Sequence, residues 1–198
     1  MRLSKEDKAR NRDNIVESAG QMFRTRGVDG VGIADLMKSA GMTHGGFYNH
    51  FPSKDALAAE VFRASFERTL SLLAAGFDDG SDGSGAALKH LLDGYLSAEH
   101  RDSPDGGCPS ASLVVDAWRQ DDQIQEAYAE GVEGYVATLA AEFSREATRG
   151  GEELDPAEAR DRAVRLLSGM VGAMVLARAV GRVAPSLSDE ILAAGRRR

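Results

Sequence analysis

Residues 37–54 read Met37-Lys38-Ser39-Ala40-Gly41-Met42-Thr43-His44-Gly45-Gly46-Phe47-Tyr48-Asn49-His50-Phe51-Pro52-Ser53-Lys54, and the fold turns on this stretch. Ile33, Leu36, Met37 and Ala40 recur at helical spacing and predict a short helix from about residue 33 to 40. Ala40 is small enough for two helices to cross closely, and Gly41 takes positive φ at no steric cost, as the turn between them requires. Thr43 stands where it can cap a second helix, anchored by Phe47 and Phe51. Two short helices joined by a tight glycine turn make the helix-turn-helix pattern. The second helix presents Thr43, His44, Gly45, Tyr48, Asn49 and His50 outward. Hydroxyl, imidazole and amide groups, with glycine permitting close approach, suit the major groove of double-stranded DNA.

Working outward, Ile15, Ala19, Met22 and Phe23 form the apolar face of a first helix that ends at Gly27. Downstream, Ser53 is the natural N-cap of a long fourth helix through Leu57, Val61, Phe62, Phe66, Leu70 and Leu73. Residues 76–85, rich in Gly, Asp and Ser, read as an exposed, mobile loop. Five further helical patterns follow, over about 85–99, 107–119, 121–148, 155–183 and 185–198. The fourth of these opens with Asp155-Pro156-Ala157-Glu158, a cap followed by proline at the first turn. The expectation is an all-α protein of about nine helices, with a helix-turn-helix domain over 1–54 and a helical bundle over 55–198.

The net charge of −7 hides an asymmetry. Residues 1–54 carry nine Lys/Arg against six Asp/Glu, a balance of +3 that leaves −10 for the remainder. A basic head on an acidic body is what contact with a polyanion at one end produces. No apolar run reaches the roughly 18 residues that span a bilayer; the longest, Leu166 to Ala177, stops at Arg178. The N-terminus has no apolar segment behind its charges, and a cytoplasmic protein with no membrane contact is expected. The single cysteine, Cys108, makes no internal disulfide. His44, His50, His90 and His100 show no metal-ligand spacing, and no phosphate loop, nucleophile elbow or paired carboxylates appear. No catalytic residue, metal or cofactor is assigned.

With these residues in hand, the chain from about Asp13 to Phe62 resembles the N-terminal domain of the TetR family of transcriptional regulators. The matching positions are Ile15, Ala19, Phe23, Gly27, Ile33-Ala34-Asp35-Leu36, Ala40-Gly41-Met42 and, most distinctively, Gly46 through Leu57. One departure is Gly32, where the family usually has Thr; only a backbone N–H remains there for a phosphate. The resemblance implies that Thr43, Tyr48, His50 and Lys54 hold phosphates, with Lys54 at the positive end of the fourth helix. It implies base contacts from His44, Gly45 and Asn49, and backbone or minor-groove contacts from Lys5, Lys8 and Arg12 on a flexible N-terminal arm. A helical interaction module without DNA binding is the alternative, and the intact Tyr48–Lys54 stretch and the basic arm argue against it.

The remaining residues would dimerise the head, sense a ligand, or both. Leu166, Leu167, Met170, Met174 and Ala177, on a helix rich in small residues, are expected to form a homodimer seam with Ile191 and Leu192. The resemblance also implies a pocket for a small hydrophobic effector within the bundle. Phe66, Tyr95, Cys108, Trp118, Tyr128, Tyr135, Met170 and Met174 are its candidate lining, with Asp116 and Arg119 as polar contacts. Cys108, near the start of a helix, is also a candidate redox or electrophile sensor.

Overall fold

Ser4 starts the first helix: its Oγ accepts from the N–H of Asp7 at 3.0 Å. The computed structural model describes residues 4–78 and 86–197, so most of the loop expected over 76–85 lies outside the described residues. From Ser4 the chain is helical as α1, Lys5–Arg26, and stops at Gly27, whose φ of +73° lets its N–H turn back to the Phe23 carbonyl at 2.9 Å. Lys5, Lys8 and Arg12 therefore sit on a helix, which corrects the expectation of a flexible arm from residue 5 onward. After α2, Ile33–Ser39, Gly41 takes φ +72° and the Met42 N–H reaches the Met37 carbonyl at 2.7 Å. The next segment, His44–Asn49, is a 3-10 helix. Its bonds run from Gly46 N–H to Thr43 O at 3.0 Å and from His50 N–H to Phe47 O at 2.9 Å. Two adjacent glycines and a proline soon after leave little to favour a full α-helical turn. Thr43 precedes this segment but makes no side-chain cap bond.

Ser53 caps α3, Lys54–Asp78, accepting from the Ala56 N–H at 3.0 Å. Then come α4 (Ala86–Tyr95), α5 (Ala98–Asp102), α6 (Pro109–Ser112), α7 (Val114–Ala117), α8 (Asp122–Arg149), α9 (Pro156–Gly181) and α10 (Pro185–Arg196). Among the described residues the protein is all-α, with eleven helical segments where nine were expected. The excess is two splits. Ser97 captures the His100 N–H at 3.1 Å and starts α5 afresh, and Leu113, at φ −109° and ψ 0°, separates α6 from α7. Caps and bends of this kind do not alter apolar periodicity, so periodicity reads through them.

Two compact units emerge. The first comprises Met1–Glu67 and Cys108–Gly131. Its core is Ile15, Ala19, Phe23, Leu36, Met37, Phe47, Phe51, Leu57 and Phe62, completed by Leu113, Ala117, Ile124 and Ala127. Gly131 gives Phe66 its room: a Cβ there would lie 2.1 Å from the Phe66 ring. The second unit comprises Arg68–Gly107 and Val132–Arg198. There α9 is capped by Asp155, which accepts from Ala157 and Glu158 N–H at 3.0 and 3.2 Å. It packs along α10, where the Ser188 hydroxyl donates to the Ala177 carbonyl at 2.8 Å. Arg178 of α9 donates to the carbonyls of His100 and Arg101. The buried Glu142 carboxylate is held by Arg145 at 2.8 Å and Arg149 at 3.3 Å.

By length and composition α9 is apolar enough to cross a bilayer, with a mean hydropathy of 1.6 over its best window. The uninterrupted apolar run within it, Leu166 to Ala177, still ends at Arg178. Core helices pass the same test, and α9 buries a regular stripe of Ala159, Ala163, Leu167, Met170, Met174 and Ala177. Of that window 28% is buried, and Val164 and Leu176 are its exposed large apolar side chains.

Candidate nucleic-acid interface

The helix-turn-helix holds its polar face out by burying the aromatic residues beneath it. Phe47 is 0% exposed and Phe51 1%, while Tyr48 between them is 65% exposed. The Tyr48 ring stands edge-on to Phe47 with centroids 5.2 Å apart, and Phe47 and Phe51 are 5.8 Å apart. Such edge-to-face pairing fixes the ring's direction without burying its hydroxyl. Thr43, His44, Gly45 and Asn49 are exposed beside it, and a Cβ at Gly45 would meet nothing within 4 Å. Lys5 and Lys8 are exposed on α1, and Lys54 is the first residue of α3, where unpaired backbone N–H groups and the helix dipole favour an anion.

One of the expected DNA contacts, Arg12, is engaged within the chain, and a second, His50, is half-buried. The Arg12 guanidinium donates to the His50 carbonyl and to Glu60, and stacks over the Phe51 ring at 4.1 Å. It clamps the end of the 3-10 segment onto α1 and α3, which corrects its assignment to a free arm. His50 is half-buried, and its Nδ1 has no hydrogen-bond partner. Burial first, then the charges of Lys8 and Arg12, holds its imidazole below the usual value of 6.5. A neutral ring is thus favoured there until an anion arrives to offset the two cations.

The candidate effector residues divide between the units. In the first, Tyr128 donates from its hydroxyl to the Ser110 carbonyl at 2.7 Å, and its ring meets Phe66 edge-on at 5.4 Å. Burial chiefly, and Cys108 secondarily, pushes the Tyr128 phenol well up. Cys108 is 7% exposed, with Sγ 2.9 Å from the Ser110 hydroxyl. Phe66, Tyr128 and Cys108 therefore lie in one neighbourhood. Trp118 does not join it: it is 65% exposed, under the guanidinium of Arg119. Asp116, expected to meet a ligand, instead accepts from the Val28 N–H at 2.8 Å. In the second unit Tyr95 packs edge-on against His100 at 4.7 Å, and Tyr135, Met170 and Met174 are buried.

The residues expected at a dimer seam fall into two groups by burial. Leu167, Met170, Met174, Ala177 and Leu192 are buried within the chain, none more than 8% exposed. Leu166 and Ile191 are half-buried. The open apolar side chains of α9, α10 and their connection are Val164, Leu176, Val183 and Leu187.

An all-α chain with an exposed polar face on a braced helix-turn-helix is a DNA-binding regulator by architecture. Residues 15–61 match the family described as bacterial regulatory proteins, tetR family, and residues 85–187 match the tetracyclin repressor-like C-terminal domain. The chain belongs to the TetR family of transcriptional regulators; it is not an enzyme. An HTH-type transcriptional regulator of Mycobacterium tuberculosis is 27% identical over 177 residues, 84% of each chain. The HTH-type transcriptional repressor NemR of Escherichia coli is 26% identical over 165 residues, 79% of this chain and 81% of its own. The crystal structure of E. coli NemR in its reduced form superposes with a TM-score of 0.79 at 20% identity, covering 94% of this chain and 93% of that one. A Bacillus subtilis regulator, FadR, solved in complex with stearoyl-CoA, has the same fold, with a TM-score of 0.68 at 14% identity and coverage of 93% and 97%. Members of this family bind DNA, typically as dimers with small-molecule effectors, and many are repressors.

Proposed function

We propose that this protein is a homodimeric repressor that binds a palindromic operator and releases it when a small hydrophobic effector enters its C-terminal domain, residues 55–198. The observation that carries the reading is the exposed face of Thr43, His44, Gly45, Tyr48 and Asn49 above the buried Phe47 and Phe51. Tyr48, Thr43 and Lys54 engage phosphates, His44, Gly45 and Asn49 meet base edges, and Lys5 and Lys8 add backbone contacts from α1. Arg12 holds the segment in place. A two-fold dimer sets the two heads one helical turn of DNA apart, so the operator carries matching half-sites. The uncovered apolar surface of α9 supports the dimer, since a surface of that kind is normally covered in an assembly. The effector acts by binding the released conformation more tightly than the DNA-bound one. Such a regulator works beside the chromosome, in the bacterial cytoplasm.

The test is operator binding measured against salt, with the DNA flanking the gene and a scrambled duplex of equal length. Tyr48→Ala and Lys54→Ala should each weaken operator binding by roughly tenfold, and Lys54→Ala should lower the salt slope by about one. Operator affinity that survives both changes overturns the assignment of this face.

A second reading is favoured by the contact between Cys108 Sγ and the Ser110 hydroxyl, in the same neighbourhood as Tyr128. Here Cys108 senses oxidants or electrophiles, as an added or alternative trigger. Similarity to NemR, whose structure is that of a reduced form, supports it. Cys108→Ser should leave operator affinity unchanged and abolish release by hydrogen peroxide or N-ethylmaleimide; release that persists removes this reading.

A further inference from the structure

The second unit carries a cavity of about 480 Å³ that lies apart from the residues assigned above, Leu166 and Met170 excepted. Its apolar floor is Leu92 of α4, Phe143 of α8, and Leu166 and Met170 of α9. Its other side is built from the end of α10, at Ala194 and Gly195. The packing at Gly195 is tight: a Cβ there would lie 3.0 Å from Leu96 and 3.1 Å from Ala173. Gly169 opens the cavity from α9, and a Cβ there would meet nothing within 4 Å.

The charged side chains lining this cavity are Arg162, Arg165 and Arg197, with no acid among the lining residues. That composition departs from the surrounding chain, which is −10 beyond residue 54. Arg162 pairs with Glu158 through one guanidinium nitrogen, and Arg165 with Asp161 through Nε at 2.8 Å. Both acids lie one turn back on the exposed side of α9 and line no part of the cavity. A guanidinium offers five N–H donors in a planar fork, so a single bond to a neighbouring acid leaves donors for a second anion. The volume falls within the range of small-molecule sites, which are mostly apolar with a few placed polar groups.

We infer that this cavity binds a single-chain anionic amphiphile, its hydrocarbon tail on Leu92, Phe143, Leu166 and Met170 and its anionic head against Arg162, Arg165 and Arg197. Apolar floor and cationic rim together select this class. A neutral apolar compound leaves the arginines unmatched, and a small inorganic anion leaves the floor wet. Carboxylate and phosphate heads share the chemistry that arginine reads, and the choice of probes separates them. The inference is independent of DNA binding, because the site is tested on the free protein.

The experiment is isothermal titration of the full-length protein with decanoate, decyl phosphate and decanol, each kept below its micelle concentration. Saturable binding of decanoate or decyl phosphate, at least about tenfold tighter than decanol, is expected; whichever anion binds more tightly identifies the head. An Arg162→Gln/Arg197→Gln double variant should lose that preference while retaining the binding of decanol. Gly169→Phe, which projects a ring into open space, should block all three ligands. Circular dichroism of both variants checks that the fold is kept. Equal affinity for decanol and decanoate, no binding by either anion, or anion binding unchanged in both folded variants overturns the inference.

Discussion

The carboxylate of Asp116 and the backbone N–H of Val28, 88 residues apart in the chain, are joined by a 2.8 Å hydrogen bond. Val28 follows Gly27, the residue that ends α1 at φ +73°, and a Cβ on Gly27 would lie 2.8 Å from the same Asp116 oxygen. The turn into the helix-turn-helix is therefore held by a side chain from α7, and the glycine is required both for its backbone angle and for the approach of the carboxylate.

Asp116→Ala should leave the part-buried Val28 N–H without an acceptor, at a cost of about 1–3 kcal/mol. At this chain length the melting temperature should fall by roughly 2–4 °C for each kcal/mol. Asp116→Asn keeps an acceptor oxygen and should lose less than half as much. Thermal unfolding of the two variants side by side makes the comparison; equal losses would mean that the charge, and not the hydrogen bond, holds the turn.

Gly131→Ala sets two effects of opposite sign against each other. Alanine favours a helix interior over glycine by about 1 kcal/mol. The new Cβ, however, would lie 2.1 Å from the Phe66 ring, and overpacking of that kind costs about 1–3 kcal/mol. Net destabilisation is expected, and Phe66→Leu in the same chain should relieve part of it. Urea unfolding of the two singles and the double, read as a cycle, tests this; additivity would show that the clash is absorbed elsewhere.

Leu176 and Met174 stand two residues apart on α9 and should fail in different ways. Leu176 is 57% exposed in the protomer, so Leu176→Glu should change protomer stability by no more than about 0.5 kcal/mol while shifting dimer to monomer. Met174 is 0% exposed, so Met174→Ala should cost about 2–5 kcal/mol and leave the dimer contact itself intact. Light scattering after gel filtration reads the first effect and denaturant unfolding the second. A dimer that persists in Leu176→Glu would place the seam on another face.

Much of the fold was legible because its signals are local. The Gly41 turn and the caps by Ser53 and Asp155 involve groups within five residues of each other, so side-chain chemistry and backbone geometry settle them before tertiary contacts matter. The inward Phe47 and Phe51 and the outward Tyr48 follow from spacing alone. The sequence by itself therefore determined the all-α architecture, the helix-turn-helix and the family. Tertiary structure decided what becomes of groups whose partners are distant. Arg12 is drawn from an expected phosphate contact to the His50 carbonyl and Glu60, 38 and 48 residues away. Leu113, Ala117, Ile124 and Ala127 join the core of the DNA-binding head despite lying far beyond residue 54. On α9 two apolar stripes share one period, and only packing against α10 and α5 determines which is spent inside the protomer and which stays open. Periodicity records that a side chain is apolar; which neighbour removes it from water is decided only when the chain closes on itself.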